Sequence, residues 1–482
     1  MFKLTPLAAA VLVLASAQAS ADDSFSTQTQ SGIENIANVQ QIDAAQANII
    51  QIQTGEGNDA FGYQNLSNNT IEQTQDGNLN AGYAEQLAED SGNIDQKQNG
   101  AMNTAHASQS SGSGNHVLQQ QEQNGNMSFV IQESQMGSTA TTFQYGDNNE
   151  ANIEQMFGGE SNNAVITQTG SNQFAAAEHL GHESGQIEVN QNGDGNWAYA
   201  EQGFGTAGTV TVAQIGDYNS AEIWQDSQLG GTTALTTQSG STNELILDQS
   251  FGENNLATIV QMGIGNAIYA DQFEVTNSTT TLLQNGNGNM ALTYQTGDNQ
   301  SLTITTNGND NKINASDWQG PYKGGQFGND QIAVLNQDGD GNTVNLKQED
   351  VGQTVLLNQL GDGNSATVAQ GDAYNELYFE QNGTDNILVA DQHGTGNLAE
   401  STTYGNDNKV ELEQSGAGNY SYIYQAYGDN NLATVKQSDG VNLSFITQGG
   451  SSNQASVTQS NVNMNSVILQ TGNGNQATVL QQ

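Results

Sequence analysis

The chain has 482 residues, of which 51 are Asp or Glu and only 7 are Lys, with no Arg, so its formal charge is −44. Such an acidic chain excludes nucleic acid and anionic membrane surfaces as partners, and the absence of Cys excludes disulfides and thiolate metal sites. Low hydrophobicity with high charge is typical of disorder. Pro occurs only 2 times, however, which indicates that backbone N–H donors are needed along the whole chain.

Residues 1–21 have the pattern of a secretory signal peptide. Lys3 precedes an apolar stretch from Leu4 to Leu14, and small residues at Ala19 to Ala21 form a cleavage site. The apolar stretch is too short to span a bilayer, and no later segment reaches the roughly 18 apolar residues that spanning requires. The sequence therefore predicts export without membrane insertion, with a short segment 22–29 before the repeats.

One repeat fills the rest of the chain. Gln448, Gln459, Gln470 and Gln481 are spaced by 11 residues, and the frame runs back to Gln30. Within a unit, Gly lies two residues after Gln, Asn five, a small residue seven and an apolar residue nine. Most steps alternate between 11 and 12 residues, and one arm has a strict Gly turn while the other turn is looser and longer. The physical repeat is therefore a pair of unlike arms of about 22–24 residues in total.

The spacing within a unit predicts strands. Asn364, Ala366, Val368 and Gln370 differ by two positions, so they share one face of a strand. Helix is excluded because apolar positions do not recur at three and four. Two arms make a rung, and stacked rungs place each Gln over a Gln and each Asn over an Asn. A buried amide left unsatisfied costs roughly 1–3 kcal/mol, whereas a ladder of amides satisfies every member and locks the register.

The predicted fold is therefore all-β, a β-solenoid of about 20 stacked strand-turn-strand rungs with Gln and Asn ladders inside. Its ladder and turn residues are represented by four stretches: Gln144, Gly146, Asn149, Ala151 and Gln155; Gln284, Gly286, Asn289, Ala291 and Gln295; Gln359, Gly361, Asn364, Ala366 and Gln370; and Gln470, Gly472, Asn475, Ala477 and Gln481. We expect other residues at the Gln position in four units, namely His179, Thr306, Asp317 and Thr403.

The unit also matches a known pattern, S-x5-Q-x-G-x2-N-x-A-x3-Q. All positions of the pattern are filled twice, in the stretches that begin at Ser138 and Ser278. On these residues the chain resembles the curlin repeat proteins, subunits of curli-type bacterial amyloid fibres. The resemblance implies a secreted subunit that polymerises with itself into cell-surface fibres of a biofilm matrix. It also implies a nucleator subunit, a periplasmic chaperone and an outer-membrane export channel as partners, although segment 22–29 lacks the family's Gly-rich recognition stretch.

Motifs that could carry chemistry have structural explanations. Asp338–Asn342 looks like a calcium loop, but the period is 11 rather than nine and the recurring residue is Asn, which favours a plain turn. His179 and His182 lie across a turn, and we expect surface or rung positions for them rather than a metal pair. No Ser-His-Asp or Cys-His arrangement can be assembled. We therefore predict no enzyme, no metal site and no cofactor.

The only sizeable interruption is the segment 318–325, which contains Pro321 and Lys323. It divides the predicted solenoid into a first part, 30–317, and a second part, 326–482. The segment is expected to be a tolerated excursion that replaces one unit, and the alternative is a hinge or docking site. The acidic side chains are expected on turns and outward positions, where their repulsion keeps the unfolded chain soluble.

Two classes of function remain, a self-assembling amyloid subunit and a monomeric secreted solenoid that acts as an adhesin or as a cation- or ice-binding surface. Monomeric solenoids need atypical polar end repeats. Here an ordinary unit, Gln470 to Gln481, comes last, and the first unit follows shortly after Asp22. Both sheet edges are thus expected to be open templates, and because the two ends differ, their stacking does not close. The pattern favours the amyloid subunit, as either the major or the nucleating one.

Overall fold

The computed structural model describes residues 23–317 and 323–482. The predicted signal peptide and most of the inserted segment lie outside the described residues. The chain divides into two compact units between Glu188 and Val189. In both units every regular element among the described residues is a β-strand.

Unit 1 contains two parallel sheets. Each rung has two arms, and it contributes one arm to each sheet. The strands of its sheet 1 are Phe25–Ile33, Asn48–Glu56, Asn68–Asn78, Asp90–Ala101, His116–Asn124, Thr139–Asp147 and Asn163–Ser171. The strands of its sheet 2 are Ile36–Ile42, Asp59–Asn65, Ala81–Leu87, Thr104–Ser110, Met127–Glu133, Glu150–Met156 and Phe174–Leu180. Two short strands, Gln135–Met136 and Gly159–Glu160, pair with each other in the longer turn. The strand Gln186–Asp194 includes the boundary between the units.

Unit 2 repeats this architecture. The strands of its sheet 1 are Thr209–Asp217, Thr233–Ser241, Leu256–Ile264, Thr279–Asn287, Ser301–Asn307, Ile332–Asp338, Thr354–Leu360, Glu376–Asn382, Leu398–Tyr404, Tyr420–Ala426, Leu443–Gly449 and Asn465–Thr471. The strands of its sheet 2 are Trp197–Gly203, Ser220–Asp226, Glu244–Ser250, Ala267–Thr276, Met290–Asp298, Lys312–Ala315, Gly325–Asn329, Thr343–Val351, Ser365–Gln370, Ile387–Gln392, Lys409–Gln414, Leu432–Gln437, Gln454–Gln459 and Gln476–Gln481.

Neighbouring strands pair in parallel and in register, so that each residue lies beside its equivalent in the next rung. Gln144 pairs with Gln121 on one side and with Gln168 on the other. In the second arm Gln155 pairs with Gln132. This confirms the predicted β-solenoid, whose turns are the two-arm units of the sequence.

The core of each unit lies between its two sheets and follows the period of two. Ala151, Ile153 and Gln155 are completely buried, whereas the alternate residues Asn152 and Glu154 are only half-buried. The core is therefore built from Ala, one aliphatic residue and amides. The register of the paired strands is fixed, because a shift of one strand by one residue would turn all its core side chains to the outward face.

Candidate functional site

The Gln ladder is a chain of side-chain hydrogen bonds along the stacking direction, which breaks where Thr306 replaces Gln. Gln121 Nε2 donates to Gln144 Oε1 at 2.8 Å, and Gln144 Nε2 donates to Gln168 Oε1 at 3.0 Å. Gln144 Nε2 also approaches the carbonyl oxygens of Met127 and Asn149 at 2.8 and 2.9 Å, both in sheet 2 or its preceding turn. Each Gln thus joins two rungs and two sheets, and the direction of donation is always toward the following rung.

The Asn ladder runs in the opposite direction. The backbone N–H of Asn149 donates to Asn126 Oδ1 in the preceding rung at 3.0 Å, while Asn149 Nδ2 donates to the carbonyl of Gly170 in the following rung at 2.9 Å. Gly146 makes this turn possible because its φ is +136°, and a Cβ there would lie only 1.9 Å from the Gly170 carbonyl oxygen. The turn residues of successive rungs therefore touch through their main chains.

The other predicted ladder residues occupy equivalent places. Their Gln, Asn and Ala members are buried in the two internal stretches, and the Gly members have positive φ: Gln284, Gly286, Asn289, Ala291, Gln295, Gln359, Gly361, Asn364, Ala366 and Gln370. In the last stretch Gln470 is buried and Gly472 has a positive φ, but Asn475, Ala477 and Gln481 are half-exposed because they belong to the last rung.

Three of the four expected substitutions lie in the ladder, and one does not. His179 pairs with Gln155, Thr306 with Gln284, and Thr403 donates its hydroxyl to Gln425 Oε1 at 3.2 Å. The assignment of Asp317 to the Gln position was wrong. The ladder continues instead through Gln326, which accepts from Gln295 Nε2 at 2.7 Å.

The inserted segment interrupts one strand rather than replacing a unit. Lys312–Ala315 pairs with the strand that begins at Met290, and Gln326 then resumes the pairing with the same strand. The step from Gln295 to Gln326 is therefore 31 residues, against 22 for the next step to Gln348. The rung is intact, since the strands on both sides of the segment pair with the same neighbour and Gln326 keeps the ladder position.

Sequence reasoning missed a third interior column in the longer turn of unit 1. Glu89, Gln135 and His182 are all buried there, 46 or 47 residues apart, which is two rungs. The intervening rungs place Gly112 and Gly159 beside them, and a Cβ on either glycine would lie within 2.8 Å of a Glu89 or Gln135 side-chain oxygen. Large polar residues and glycines therefore alternate, each large side chain filling the space that two rungs share. The 46–47-residue recurrence was present in the sequence and could have revealed it.

The buried column changes the expected position of the acids. Glu89 lies inside, only 1% exposed, and accepts a hydrogen bond from Asn115 Nδ2 at 2.9 Å. Burial raises the pKa of its carboxyl above the ordinary value, and burial lowers the pKa of His182 to about 4. Glu89 is therefore a turn acid whose side chain is buried rather than outward, and His182 takes a buried rung position rather than a surface one.

The loop that resembles a calcium site has a structural role. Asp340 Oδ1 accepts the backbone N–H of Asn309 at 2.7 Å, and Asp362 Oδ1 accepts that of Asp340 at 2.9 Å. These carboxylates continue a turn-capping ladder between rungs. Within 23–317 and 323–482 there is no group of three or more His, Asp or Glu side chains placed to hold a metal ion. The same residues contain no helix of the length and apolarity needed to cross a bilayer.

The two end rungs leave the ladders unfinished. In the first described rung Gln30 and Gln41 donate to Gln53 and Gln64 at 2.7 and 2.9 Å. Their own Oε1 atoms face the outer edge, because donation always runs toward the following rung. The inward residue Val39 of this rung is half-exposed, unlike its buried equivalents in later rungs.

At the last rung, in unit 2, the free groups of the Gln ladder are donors instead of acceptors. Gln481 accepts from Gln459 Nε2 at 2.8 Å and directs its own Nε2 to the Asn465 carbonyl, so a further amide N–H faces outward. Asn475 donates to Asn453 Oδ1 at 2.9 Å, so its own Oδ1 is the atom that a following rung would use. One edge therefore offers Gln acceptors, and the other offers Gln donors and Asn acceptors.

The fold and the ladders define a class, the β-solenoids whose polar interior is satisfied by Gln and Asn ladders. Comparison with protein families agrees with this class: the curlin associated repeat matches residues 136–170, 186–216, 383–416 and 405–438. The chain therefore carries curlin associated repeats at these four places. A search among curated proteins found no match to it.

Proposed function

We propose that the chain is a secreted structural subunit that polymerises into extracellular curli-type amyloid fibres of a biofilm matrix, which mediate surface adhesion and aggregation. The observation that supports the proposal is the opposite polarity of the two end rungs. Every interior rung has both neighbours, whereas the outermost rungs expose inward positions that are buried elsewhere. Ala455 and Val457 are buried, for example, but the equivalent Ala477 and Val479 of the last rung are half-exposed.

Stacking between copies completes both ladders only in one orientation. When the last rung of one copy meets the first rung of another, Gln donors meet Gln acceptors and Asn oxygens meet Asn N–H groups. Two first rungs brought together would oppose acceptor to acceptor in the Gln ladder, which leaves buried amides unpaired at roughly 1–3 kcal/mol each. The interface is therefore heterologous and generates an open polymer rather than a closed dimer.

The remaining parts of the proposal rest on the family. A nucleator subunit, a periplasmic chaperone and an outer-membrane export channel are the partners that a curlin-type subunit would use. A structural role also agrees with the use of the recurring amides, because their hydrogen bonds are made to one another and to the main chain. The chain could serve as the major subunit or as the nucleator, and both roles use the same edges.

The first test is assembly of the full chain without residues 1–21. Electron microscopy should show unbranched fibres, and X-ray diffraction of aligned fibres should give a meridional reflection at about 4.7–4.8 Å. A chain that stays monomeric at concentrations well above those used for growth would refute the subunit function and favour a monomeric solenoid adhesin.

The second test concerns polarity. Val39→Lys places a charge on the inward face of the first rung, and Val479→Lys does so on the last rung. Head-to-tail stacking predicts that each variant alone stays monomeric and that an equimolar mixture forms dimers and nothing larger. Asn38→Lys and Thr478→Lys, on the adjacent outward positions, are the matched controls and should still form fibres. Dimers formed by one blocked variant alone would contradict the proposed polarity.

A further inference from the structure

The outward face of sheet 1 in unit 2 carries an unusual combination of Tyr and Glu. A groove with a volume of about 450 Å³ crosses the strands from Thr354–Leu360 to Tyr420–Ala426. It shares residues with a neighbouring groove of about 440 Å³ that reaches Asp338, so the two form one channel along the stacking direction. We call it the tyrosine–glutamate groove, lined by Leu356, Asn358, Tyr378, Glu380, Glu400 and Tyr422.

Hydroxyl groups hold the carboxylates of this face in place. Tyr378 Oη donates to Glu376 Oε2 at 2.9 Å. The charge of Glu380 raises the pKa of Tyr404, and burial together with the charge of Glu400 raises the pKa of Tyr420. The phenols therefore stay protonated, and the face keeps its negative potential. Half-buried carboxylates beside aromatic rings are less screened than those on the open surface.

No cation balances this charge from within the face. The sheet 1 strands of unit 2, all of them described, contain no Lys, Arg or His. The lysines of this unit lie in sheet 2 or in the inserted segment, and three of those in sheet 2 pair with glutamates of the same sheet, as Lys409 does with Glu411 at 2.6 Å. The two outward faces of unit 2 thus differ: one carries lysine–glutamate pairs, and the other carries carboxylates beside tyrosines with no cationic partner in the face.

We propose that the tyrosine–glutamate groove binds linear aliphatic polyamines. Ammonium groups would be held by Glu380 and Glu400, which lie in adjacent rungs and are offset by two residues along their strands, so their Cα atoms are roughly 8 Å apart. The faces of Tyr378 and Tyr422 add cation–π attraction at this partly desolvated site. The methylene spacers would lie against Leu356 and the rings, as the stems of lysine side chains lie on apolar surfaces.

The geometry favours this ligand over a divalent ion. Calcium needs six to eight oxygen ligands around one point, and the described residues have no cluster of three carboxylates that could supply them. The groove instead spreads its carboxylates over several rungs and separates them with apolar walls. An extended chain of charges on a flexible apolar backbone fits that arrangement, whereas a compact, strongly hydrated ion does not.

Calorimetric titration of the full chain with spermidine tests the proposal, with the folded state of every variant checked by circular dichroism. Glu380→Gln with Glu400→Gln should weaken binding by about tenfold, since the change removes both ammonium partners. Glu253→Gln with Glu274→Gln, which changes the same net charge at exposed positions of unit 2 outside the groove, should change affinity by less than about twofold. Tyr378→Leu with Tyr422→Leu keeps the charge and should weaken binding by about fivefold.

Three results would overturn the proposal. Equal spermidine affinity in the groove variant and the matched control would show that binding is spread over the acidic surface. Displacement of spermidine by Mg²⁺ at equal charge concentration would show simple ion exchange. Groove-dependent binding of an oligolysine peptide without any spermidine binding would identify a polypeptide as the partner instead. Saturable binding that depends on both residue pairs and resists Mg²⁺ supports the polyamine site.

Discussion

Removal of the ladder amides at the last two rungs tests the assembly surface most directly. The triple variant Gln459→Ala, Gln470→Ala and Gln481→Ala eliminates six hydrogen bonds that the wild-type chain makes within itself. At about 1 kcal/mol net per bond, the loss is roughly 6 kcal/mol at most, with the half-exposed Gln481 contributing least. The variant also removes the donors that would enter the next copy.

The assay is elongation of preformed wild-type fibre seeds, followed by thioflavin fluorescence. The matched control is Gln476→Ala, Thr478→Ala and Leu480→Ala, which truncates three outward side chains of the same last strand. We expect the inward triple variant to elongate at least about tenfold more slowly, since the lost amide bonds exceed the 1.4 kcal/mol that a tenfold rate requires. Equal elongation rates for the two triple variants would refute the assignment of the inward ladder as the assembly surface.

Four further predictions concern the turn, two titrating groups and the surface charge. Gly146→Ala should lower the free energy of unfolding by at least about 3 kcal/mol, because the alanine Cβ would overlap the next rung. Gly341→Ala has open space around its Cβ and should lower it by about 1 kcal/mol. Urea unfolding measures both changes. Burial raises the pKa of Asp271 from 3.8 to about 7, so the folded state binds the proton more tightly and the stability of the fold falls as pH rises through this range. Asp271→Asn should remove that fall. At pH 8 it should stabilise the chain by about 2 kcal/mol, after allowance for partial exposure of the carboxyl. Burial lowers the pKa of His182 from 6.5 to about 4, so the fold loses stability as pH falls through this range. In thermal unfolding, His182→Gln should be about 3 kcal/mol more stable than the wild-type chain at pH 4 and nearly equal to it at pH 8. Because the chain carries a formal charge of −44, assembly should accelerate with NaCl and with falling pH, and an effect of Ca²⁺ far above that of Mg²⁺ at matched ionic strength would contradict simple screening.

The local pattern was sufficient to predict the interior of a rung. Positions that differ by two residues share a face, so the recurrence of Asn149, Ala151 and Gln155 already identified the inward side chains of that arm. The same recurrence at a fixed period predicted that like residues stack, and the Gln144 ladder follows directly from it. Composition added the absence of helix and the need for satisfied amides.

Other features depend on which residues of distant rungs become neighbours. The inserted segment illustrates this, because the spacing placed both Asp317 and Gln326 at Gln positions, and only strand pairing showed that Gln326 follows Gln295 in the ladder. After an insertion the repeat can resume at any position of its period, so counting residues across the insertion does not give the next ladder position. The pairing of the flanking strands restores the frame.

The sequence by itself determined the class of fold, the two arms of each rung and the direction in which their side chains point, because these follow from periods of two and of about eleven residues within one arm. Only the tertiary structure decided that Glu89 and His182 lie inside, between glycines of adjacent rungs, and that Tyr378 and Glu400 share one groove. Both arrangements depend on stacking the longer turn or the outward face of one rung on that of the next. Neighbours across rungs are 22–24 residues apart in the chain, and their contacts depend on side-chain size and charge, which the repeat leaves free to vary.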